Sequence, residues 1–198
     1  MKVMVMIATF VCATAWCCPD GRAADHIGVY FDLNASTYCI EPQSGESFVA
    51  YVTIVEPSSP EIYGVEFRLQ LGGSGMGLFL LGTEWLGATT ASADWSVGTS
   101  TGFHVMFSEP LVSGSTVAQV WAAELFLAWG SVRDFYLRPA TVPTIDNGLP
   151  AYFGPDASVI PLYPTSGDVM LPVASAGGPC RTVSVQESTF GSVKSLFR

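Results

Sequence analysis

The sequence predicts an all-β protein that folds as an antiparallel β-sandwich of about nine or ten strands. The clearest observation is the alternation of apolar and polar residues in 62–71, which is typical of a strand with one buried face. Further short segments rich in β-branched and aromatic residues follow one another between Gly- and Pro-rich turns. Only 13% of the residues are charged and 20 are Gly, which favours an extracellular β domain over a cytosolic enzyme.

Residues 62–71 form the strand around which the rest of the chain is organised. From position 65 onward its apolar residues are Val65, Phe67, Leu69 and Leu71. Because successive side chains of a strand point to opposite faces, these four are expected to face the core. The polar residues between them, Glu66, Arg68 and Gln70, are expected to face water. The Gly-rich stretch 72–75 then ends the strand.

The first 24 residues are predicted to be a secretory signal peptide. Lys2 precedes an apolar run over residues 3–16, and small residues follow it up to Ala24, where cleavage is expected. The run is too short for a transmembrane helix. A lipoprotein signal at Cys17 or Cys18 is the alternative, but the bulky Trp before Cys17 does not suit it. The protein is therefore expected to be secreted or displayed on the outer cell surface.

The rest of the chain is predicted to form one β-sandwich domain over residues 25–186, followed by a tail over 187–198. A chain of that length is the size of a single domain and can bury its own core. Acidic residues outnumber Lys and Arg 17 to 8, which gives a formal net charge of −9. Nucleic acid is not expected as a partner, because phosphate binding needs a basic patch that this sequence lacks.

Further strands are predicted at residues 27–32, 47–55, 76–86, 95–98, 103–107, 135–137 and 181–186, with two short ones near Tyr152 and Val159. Residues 34–42 are predicted to be irregular and 88–93 to be a surface loop. The longest apolar run, 117–129, is long enough for a helix. It is predicted as a strand because Val, Trp and Phe dominate it and Gly114 and Gly130 bracket it.

The order of these segments resembles that of cohesin modules and related carbohydrate-binding sandwiches. VAYVTIV is followed by IYGVEFRLQL, then by the Gly-flanked VAQVWAAELFLAW and by FYLRPA. Within this series, residues 62–67 match an I-x-G-x-x-F strand of those domains. The resemblance covers about half of the chain beyond residue 24 and implies a sandwich that binds a partner. Cohesins bind dockerins, and this chain departs from their pattern in the proline-rich section after Pro139.

The last ten residues, TFGSVKSLFR, carry a second resemblance. They look like the tail T-[WF]-G-x-[IV]-K-x-L-[YF]-R that recurs at the ends of secreted proteins of some environmental bacteria, an uncharacterised family. Four apolar residues of the tail recur at helical spacing and two basic ones suit the end of a helix dipole: Phe190, Val193, Leu196 and Phe197, with Lys194 and Arg198. Ten residues are too few for a stable isolated helix. The tail is therefore expected to dock, either on a secretion or anchoring component or back onto the sandwich.

Two cysteines remain after the signal peptide, Cys39 and Cys180. An even number in an oxidising compartment predicts a disulfide, and Cys39 follows the first strand while Cys180 opens the last predicted one. Since terminal strands of a sandwich often lie close, the bond is expected to clip them together. By the chain-entropy model, the disulfide would stabilise the folded state by at most about 5 kcal/mol.

No metal, cofactor or catalytic residue is predicted. His26 and His104 are the only histidines, and no HExxH, CxxC, EF-hand or G-x-S-x-G motif occurs. Loop carboxylates that could hold a calcium ion are too scattered in sequence to support one: Asp146, Asp156 and Asp168. Glu66 and Glu124 are the remaining candidates for the paired carboxylates of a glycoside hydrolase, which stays a minor hypothesis because Glu66 is expected to face water.

Sugar binding is the more serious alternative. Trp85 and Trp95 lie next to predicted turns, where flat aromatic faces could stack on sugar rings, and Glu84 and Asp94 beside them could accept hydrogen bonds. The competing interpretation is that each Trp fills the core, as expected for Trp121 and Trp129 within the long apolar run.

These observations favour a secreted, non-catalytic binding or structural module of the cell surface or extracellular space. Its partner would be another surface protein or a polysaccharide. A carbohydrate-binding module is the alternative, and a glycan-active enzyme is third.

Overall fold

The computed structural model of the protein describes residues 25–73, 77–87, 89–94, 100–112, 116–129, 132–178 and 180, without the side chains of 90–94. Thirteen strands within these residues form two sheets. They are β1 (His26–Tyr30), β2 (Cys39–Ile40), β3 (Glu46–Val55), β4 (Glu61–Gly72), β5 (Leu78–Trp85), β6 (Thr89–Asp94), β7 (Ser100–Val112), β8 (Val117–Leu127), β9 (Arg133–Arg138), β10 (Ala151–Phe153), β11 (Val159–Pro161), β12 (Tyr163–Pro164) and β13 (Ala174–Ala176). The predicted all-β sandwich is confirmed.

Sheet A has five strands in the order β12-β1-β3-β8-β5. The antiparallel pair of β3 and β8 is its centre, and it runs from Glu46 opposite Leu127 to Val55 opposite Val117, with a bulge after Val52. The central place of β3 agrees with its sequence, in which neither face is consistently polar. The edge strands β1 and β12 pair in parallel. The sandwich is therefore mixed, whereas the sequence predicted an antiparallel one.

Sheet B has eight strands, and β4 lies at its centre. One edge of β4 pairs with β7 over most of its length. The other edge pairs first with β10, at Gly64–Glu66, and then with β9, at Arg68–Gly72. The order β11-β10-β4-β9-β13-β2 continues from this edge, and β6 pairs with the far side of β7. The strand with the clearest alternation is therefore the one with most neighbours.

The core lies between the two sheets and follows the alternation of each strand. Val65 and Phe67 of β4 are fully buried, as predicted. Four aromatic rings from β4, β5, β7 and β8 contact one another at the centre: Phe67, Trp85, Phe103 and Trp121, with centroids 4.9 to 6.5 Å apart. Edge-on and tilted contacts of this kind add to the stabilisation gained by burying apolar area.

The disulfide between Cys39 and Cys180 is confirmed. The Cα atoms of the two residues lie 5.5 Å apart, and the bond closes a sequence separation of 141 residues. Cys39 begins β2, which pairs in parallel with β13 at the end of sheet B. The bond therefore ties the early part of the chain to the last residue that the structure describes.

A second long-range tie joins the start of the domain to β10. Tyr152 is fully buried, and its hydroxyl donates to Asp25 Oδ1 at 2.7 Å. The hydroxyl oxygen of Tyr152 also accepts a hydrogen bond from the Ser59 backbone N–H at 3.1 Å. Burial is the main cause that raises the pKa of Tyr152. The phenol therefore stays protonated and continues to donate to the carboxylate.

Glu66 does not face water, and its predicted exposure is wrong. Its side chain is 0% exposed. It lies on the outer face of sheet B, where Thr144 donates to it from both its backbone N–H and its hydroxyl. The segment after β9 thus covers a face that the alternation of β4 alone marks as solvated. Because Thr144 is 78 residues away in the sequence, its contact with Glu66 cannot be inferred from the alternation of residues within β4.

Three further predictions are corrected by the structure. The predicted loop 88–93 is mostly strand β6, because the long β7 offers a pairing edge from Phe107 to Gly102. Trp129, expected in the core, is 55% exposed, because β8 ends at Leu127. The strands outnumber the predicted nine or ten, because strands of only two or three residues, such as β2 and β13, are too short to show an alternation in the sequence.

Several predictions lie outside the described residues. They are the signal peptide 1–24, the strands 95–98 and 181–186, and the tail 187–198. In the part of the chain that is described, no helix has the length and apolar character needed to span a bilayer.

Candidate functional site

The four residues predicted for sugar binding are only partly described. Trp85 is half-buried on the core side of β5, where its ring packs against Phe67 and Trp121. Glu84 is exposed and points to the opposite face of the same strand. Asp94 ends β6, with its side chain outside the described part, and Trp95 lies outside it altogether. Trp85 and Glu84 therefore do not share a surface, and sugar binding stays a prediction.

The pairing of Glu66 with Glu124 as hydrolase carboxylates is wrong. Glu66 lies on the outer face of sheet B under Thr144. Glu124 is exposed on the outer face of sheet A, between the core residues Ala123 and Leu125. Packed sheets lie about 10 Å apart, and each side chain points away from the other sheet. The two carboxyl groups cannot flank one glycosidic bond, which requires about 5–9.5 Å.

The histidines and loop carboxylates are separated in the fold. His26 lies in β1 of sheet A, whereas His104 is exposed on β7 of sheet B. The loop carboxylates Asp146, Asp156 and Asp168 are exposed at separate positions. Within the described ranges, no three His, Cys, Asp or Glu side chains come together as ligands for a metal.

The outer face of sheet B carries an unusual pair of arginines. Arg68 of β4 lies directly opposite Arg138 of β9. Like charges in opposite positions repel, so such a pair needs compensation. The guanidinium of Arg138 lies 5.7 Å from the centre of the Tyr136 ring, a cation–π contact. The Nε atoms of Arg68 and Arg138 are both buried without a hydrogen-bond partner among the described residues.

A small cavity adjoins this arginine pair. Gly102 of β7 is the register partner of Arg68 and lines the cavity together with His104. The opposite wall is residues 140–144, and the volume of this open cavity is about 240 Å³. The hydrogen bonds from Thr144 to the Glu66 carboxylate attach this wall to sheet B. The cavity is therefore a fixed feature beside two positive charges.

Beyond the cavity, the outer face of sheet B carries several side chains of the types that protein interfaces favour. His104 stacks on Phe153 with centroids 5.4 Å apart, and the next outward residue of β7, Met106, is 40% exposed. Arg, Tyr and Met are enriched at interfaces, and Arg and Tyr often carry much of the binding energy. We call Arg68, Arg138, Tyr136, His104 and Met106 the sheet-B surface.

Sequence reasoning missed the arginine pair. Arg68 was visible as part of the polar face of its strand, but its neighbour in space follows 70 positions later in the chain. One signal was available, because the described residues contain only three cationic side chains and all of them lie in β4 or β9: Arg68, Arg133 and Arg138. Pairing these two strands would have brought the positive charge of the domain to one sheet.

Comparison with known proteins identifies the fold. No protein-family model and no curated protein matches the chain. Among solved structures, it resembles the sixth cohesin of scaffoldin B from Acetivibrio cellulolyticus, solved in complex with a mutant dockerin. The identity is 11% and the TM-score 0.53, over 79% of this chain and 99% of that one.

Two further cohesin structures show the same similarity. The seventh type I cohesin of ScaB from Pseudobacteroides cellulosolvens is 10% identical, with a TM-score of 0.51 over 84% of this chain and 98% of that one. The type II cohesin dyad from the ScaA scaffoldin of Acetivibrio cellulolyticus is 11% identical, with a TM-score of 0.52 over 80% of this chain and 50% of that one. The chain thus has a cohesin-like β-sandwich fold, as its sequence predicted.

Proposed function

We propose that the protein is an exported, non-catalytic module that binds an acidic segment of another protein through the sheet-B surface. Its fold is that of cohesins, one of which was solved with a dockerin bound. Fold alone does not determine function, so the function is inferred from the residues of the sheet-B surface. The observation that carries it is the cross-strand pair of Arg68 and Arg138.

The arginine pair is suited to bind carboxylates. The protein has a net charge of −9, yet these two cations lie in directly opposite positions of neighbouring strands on one face of sheet B. A partner carboxylate would accept paired N–H bonds from a guanidinium and would offset the repulsion between the two arginines. The adjoining cavity beside His104 would then receive an apolar side chain of the same partner.

Export is supported by two independent features. Residues 1–24 have the charge, apolar run and small residues of a signal peptide. The disulfide between Cys39 and Cys180 belongs to an oxidising compartment, because cytosolic thiols are normally kept reduced. The partner is accordingly a protein of the cell surface or the extracellular space.

A charge-matched pair of double variants tests the binding surface. The wild-type protein is used to cross-link and identify a partner among the exported proteins of its source, and the purified pair is measured by calorimetry. Arg68→Gln with Arg138→Gln should weaken binding at least about tenfold, since close interfacial charge pairs are worth about 1.5 kcal/mol or more. Ser47→Glu with Thr116→Glu lowers the net charge equally at exposed positions near sheet A and should leave the affinity nearly unchanged.

Two results would contradict the proposal. If both double variants weaken binding equally, only the net charge of the protein matters and the arginine pair has no special role. If the arginine variant binds as the wild type does, the partner uses another surface. Affinity electrophoresis against neutral and acidic polysaccharides supplies a separate check. Retardation that depends on the arginines would identify a glycan as the ligand instead.

A further inference from the structure

The outer face of sheet A carries an exposed apolar cluster. Phe79 of β5 and Trp129 are 46% and 55% exposed, and their rings meet edge to face with centroids 6.1 Å apart. Phe126 lies opposite Phe79 on β8, and Val49 of β3 is 36% exposed on the same face. We call Val49, Phe79, Phe126 and Trp129 the sheet-A patch. Contiguous apolar surface of this kind marks an interaction site.

The patch extends to the edge of its sheet. β5 is the last strand of sheet A within the described residues, so one side of its backbone has no strand beside it. Leu81 lies at a bulge in this strand and is 55% exposed. An apolar edge strand pairs readily with another chain unless it is covered. We therefore expect another segment or another chain to cover this edge.

The charge around the patch indicates the chemistry of that cover. Glu124 is exposed directly opposite Val49 in the strand register, and Glu84 is exposed on the same outer face, five positions after Phe79 along β5. The five strands of sheet A contain no Lys or Arg. A segment that is both apolar and basic would bury the rings and meet the two carboxylates.

The end of this chain has that composition. Residues 189–198 contain Lys194 and Arg198, no acidic residue, and an apolar set at helical spacing: Phe190, Val193, Leu196 and Phe197. Two of the eight Lys and Arg residues of the protein lie in these ten positions. The tail and the patch are complementary in both polarity and charge.

The described part of the chain ends at sheet B, where Cys180 is bonded to Cys39 of β2. Gly178 lies against the side chain of Val132, which follows Trp129 by three positions. Residue 180 is the last one described, so 181–188 separate it from the tail. Eight extended residues span up to about 28 Å, and packed sheets are about 10 Å apart. The connection is long enough to bring the tail over sheet A.

We propose that residues 189–198 fold back and dock on the sheet-A patch of their own chain. The tail covers the rings of Phe79 and Trp129, and its Lys194 and Arg198 lie over Glu84 and Glu124. Because the tail is tethered, its effective concentration at the patch is in the millimolar range. A segment too short to fold alone can therefore be bound. This surface is separate from the sheet-B surface and does not depend on it.

A charge swap in the full chain tests the docking by hydrogen–deuterium exchange of β5. In the wild type, amides of the β5 edge should exchange about tenfold more slowly than in a variant with Lys194→Glu and Arg198→Glu. Adding Glu84→Lys and Glu124→Lys to that variant should restore the slow exchange. Adding Glu109→Lys and Asp146→Lys instead, at exposed positions outside sheet A, should not restore it.

A cross-link gives a second measurement that needs no destabilising change. A benzophenone amino acid at position 190, in place of Phe190, should cross-link to peptides that contain Phe79 or Trp129. Cross-linking to sheet B instead would overturn the proposal. So would β5 exchange that is insensitive to the tail charges, which would leave the tail for a secretion or anchoring component. Exchange that slows between about 1 and about 100 μM protein would show that a second copy covers the patch, and would also overturn it.

Discussion

Removing the buried carboxylate of Glu66 should detach the segment that covers sheet B. The backbone N–H of Thr144 lies 3.0 Å and 3.1 Å from the two carboxylate oxygens, and its hydroxyl lies 2.6 Å from Oε2. Hydrogen bonds to a charged group contribute about 1.5–3 kcal/mol each. Thr144 is exposed, so water can replace part of this loss in a Glu66→Ala variant. We therefore expect a loss of about 2 kcal/mol in the free energy of unfolding.

The loss can be measured by thermal and urea denaturation followed by circular dichroism. For a domain of this size, about 2 kcal/mol corresponds to a decrease of roughly 4–8 °C in Tm. Glu109→Ala is the matched control, because Glu109 is exposed on β7 and its replacement should change stability by less than about 0.5 kcal/mol. Thr144→Val, which removes only the hydroxyl donor, should fall between the two.

Hydrogen exchange locates the effect within the chain. In Glu66→Ala, amides in residues 140–149 should exchange faster while those of β3 and β8 keep their protection, because the contact holds a segment rather than the core. A Glu66→Ala protein that unfolds with wild-type stability would refute the reasoning. Equal acceleration of exchange throughout the sandwich would refute it as well, since Glu66 would then support the whole fold.

Three further predictions concern stability. Tyr152→Phe removes a hydroxyl with three hydrogen-bond partners and should cost about 1.5–3 kcal/mol in urea denaturation, whereas the same change at the exposed Tyr163 of β12 should be neutral. Replacing Cys39 and Cys180 by Ser should cost up to about 5 kcal/mol in the same assay, and an unchanged midpoint would contradict the role of the bond. The Thr37 hydroxyl, with neighbouring donors, lowers the pKa of Asp32. Asp32→Asn should therefore be less stable than wild type at pH 7, and calorimetric scans should show this difference shrinking as the pH falls below about 4.

The sequence predicted the parts of the fold that depend on local periodicity. The alternation from Val65 to Leu71 identified β4 and its buried side, because one face of that strand packs on the core along its whole length. The disulfide between Cys39 and Cys180 could be predicted by counting, since only these two cysteines follow the predicted signal peptide and they have one way to pair.

The features that were missed depend on which strands lie side by side. The position of Glu66 is determined by Thr144, and β6 exists because β7 offers a second edge, opposite the one that pairs with β4. The exposure of Trp129 depends on where β8 loses its partners, two positions earlier. None of these relations is visible in a window of the sequence, because each one joins residues through the sheet order rather than through spacing.

The sheet order also explains where the arginines of the described residues lie. Periodicity assigns a residue to the inside or the outside of a sandwich, but not to one of its two outer faces. With the strands in place, the described arginines all lie in sheet B, and the strands of sheet A carry glutamates without Lys or Arg. An acidic ligand is proposed beside Arg68 and Arg138, and a basic segment beside Glu84 and Glu124. Since charges of like sign repel across an interface, each face would then reject the ligand proposed for the other.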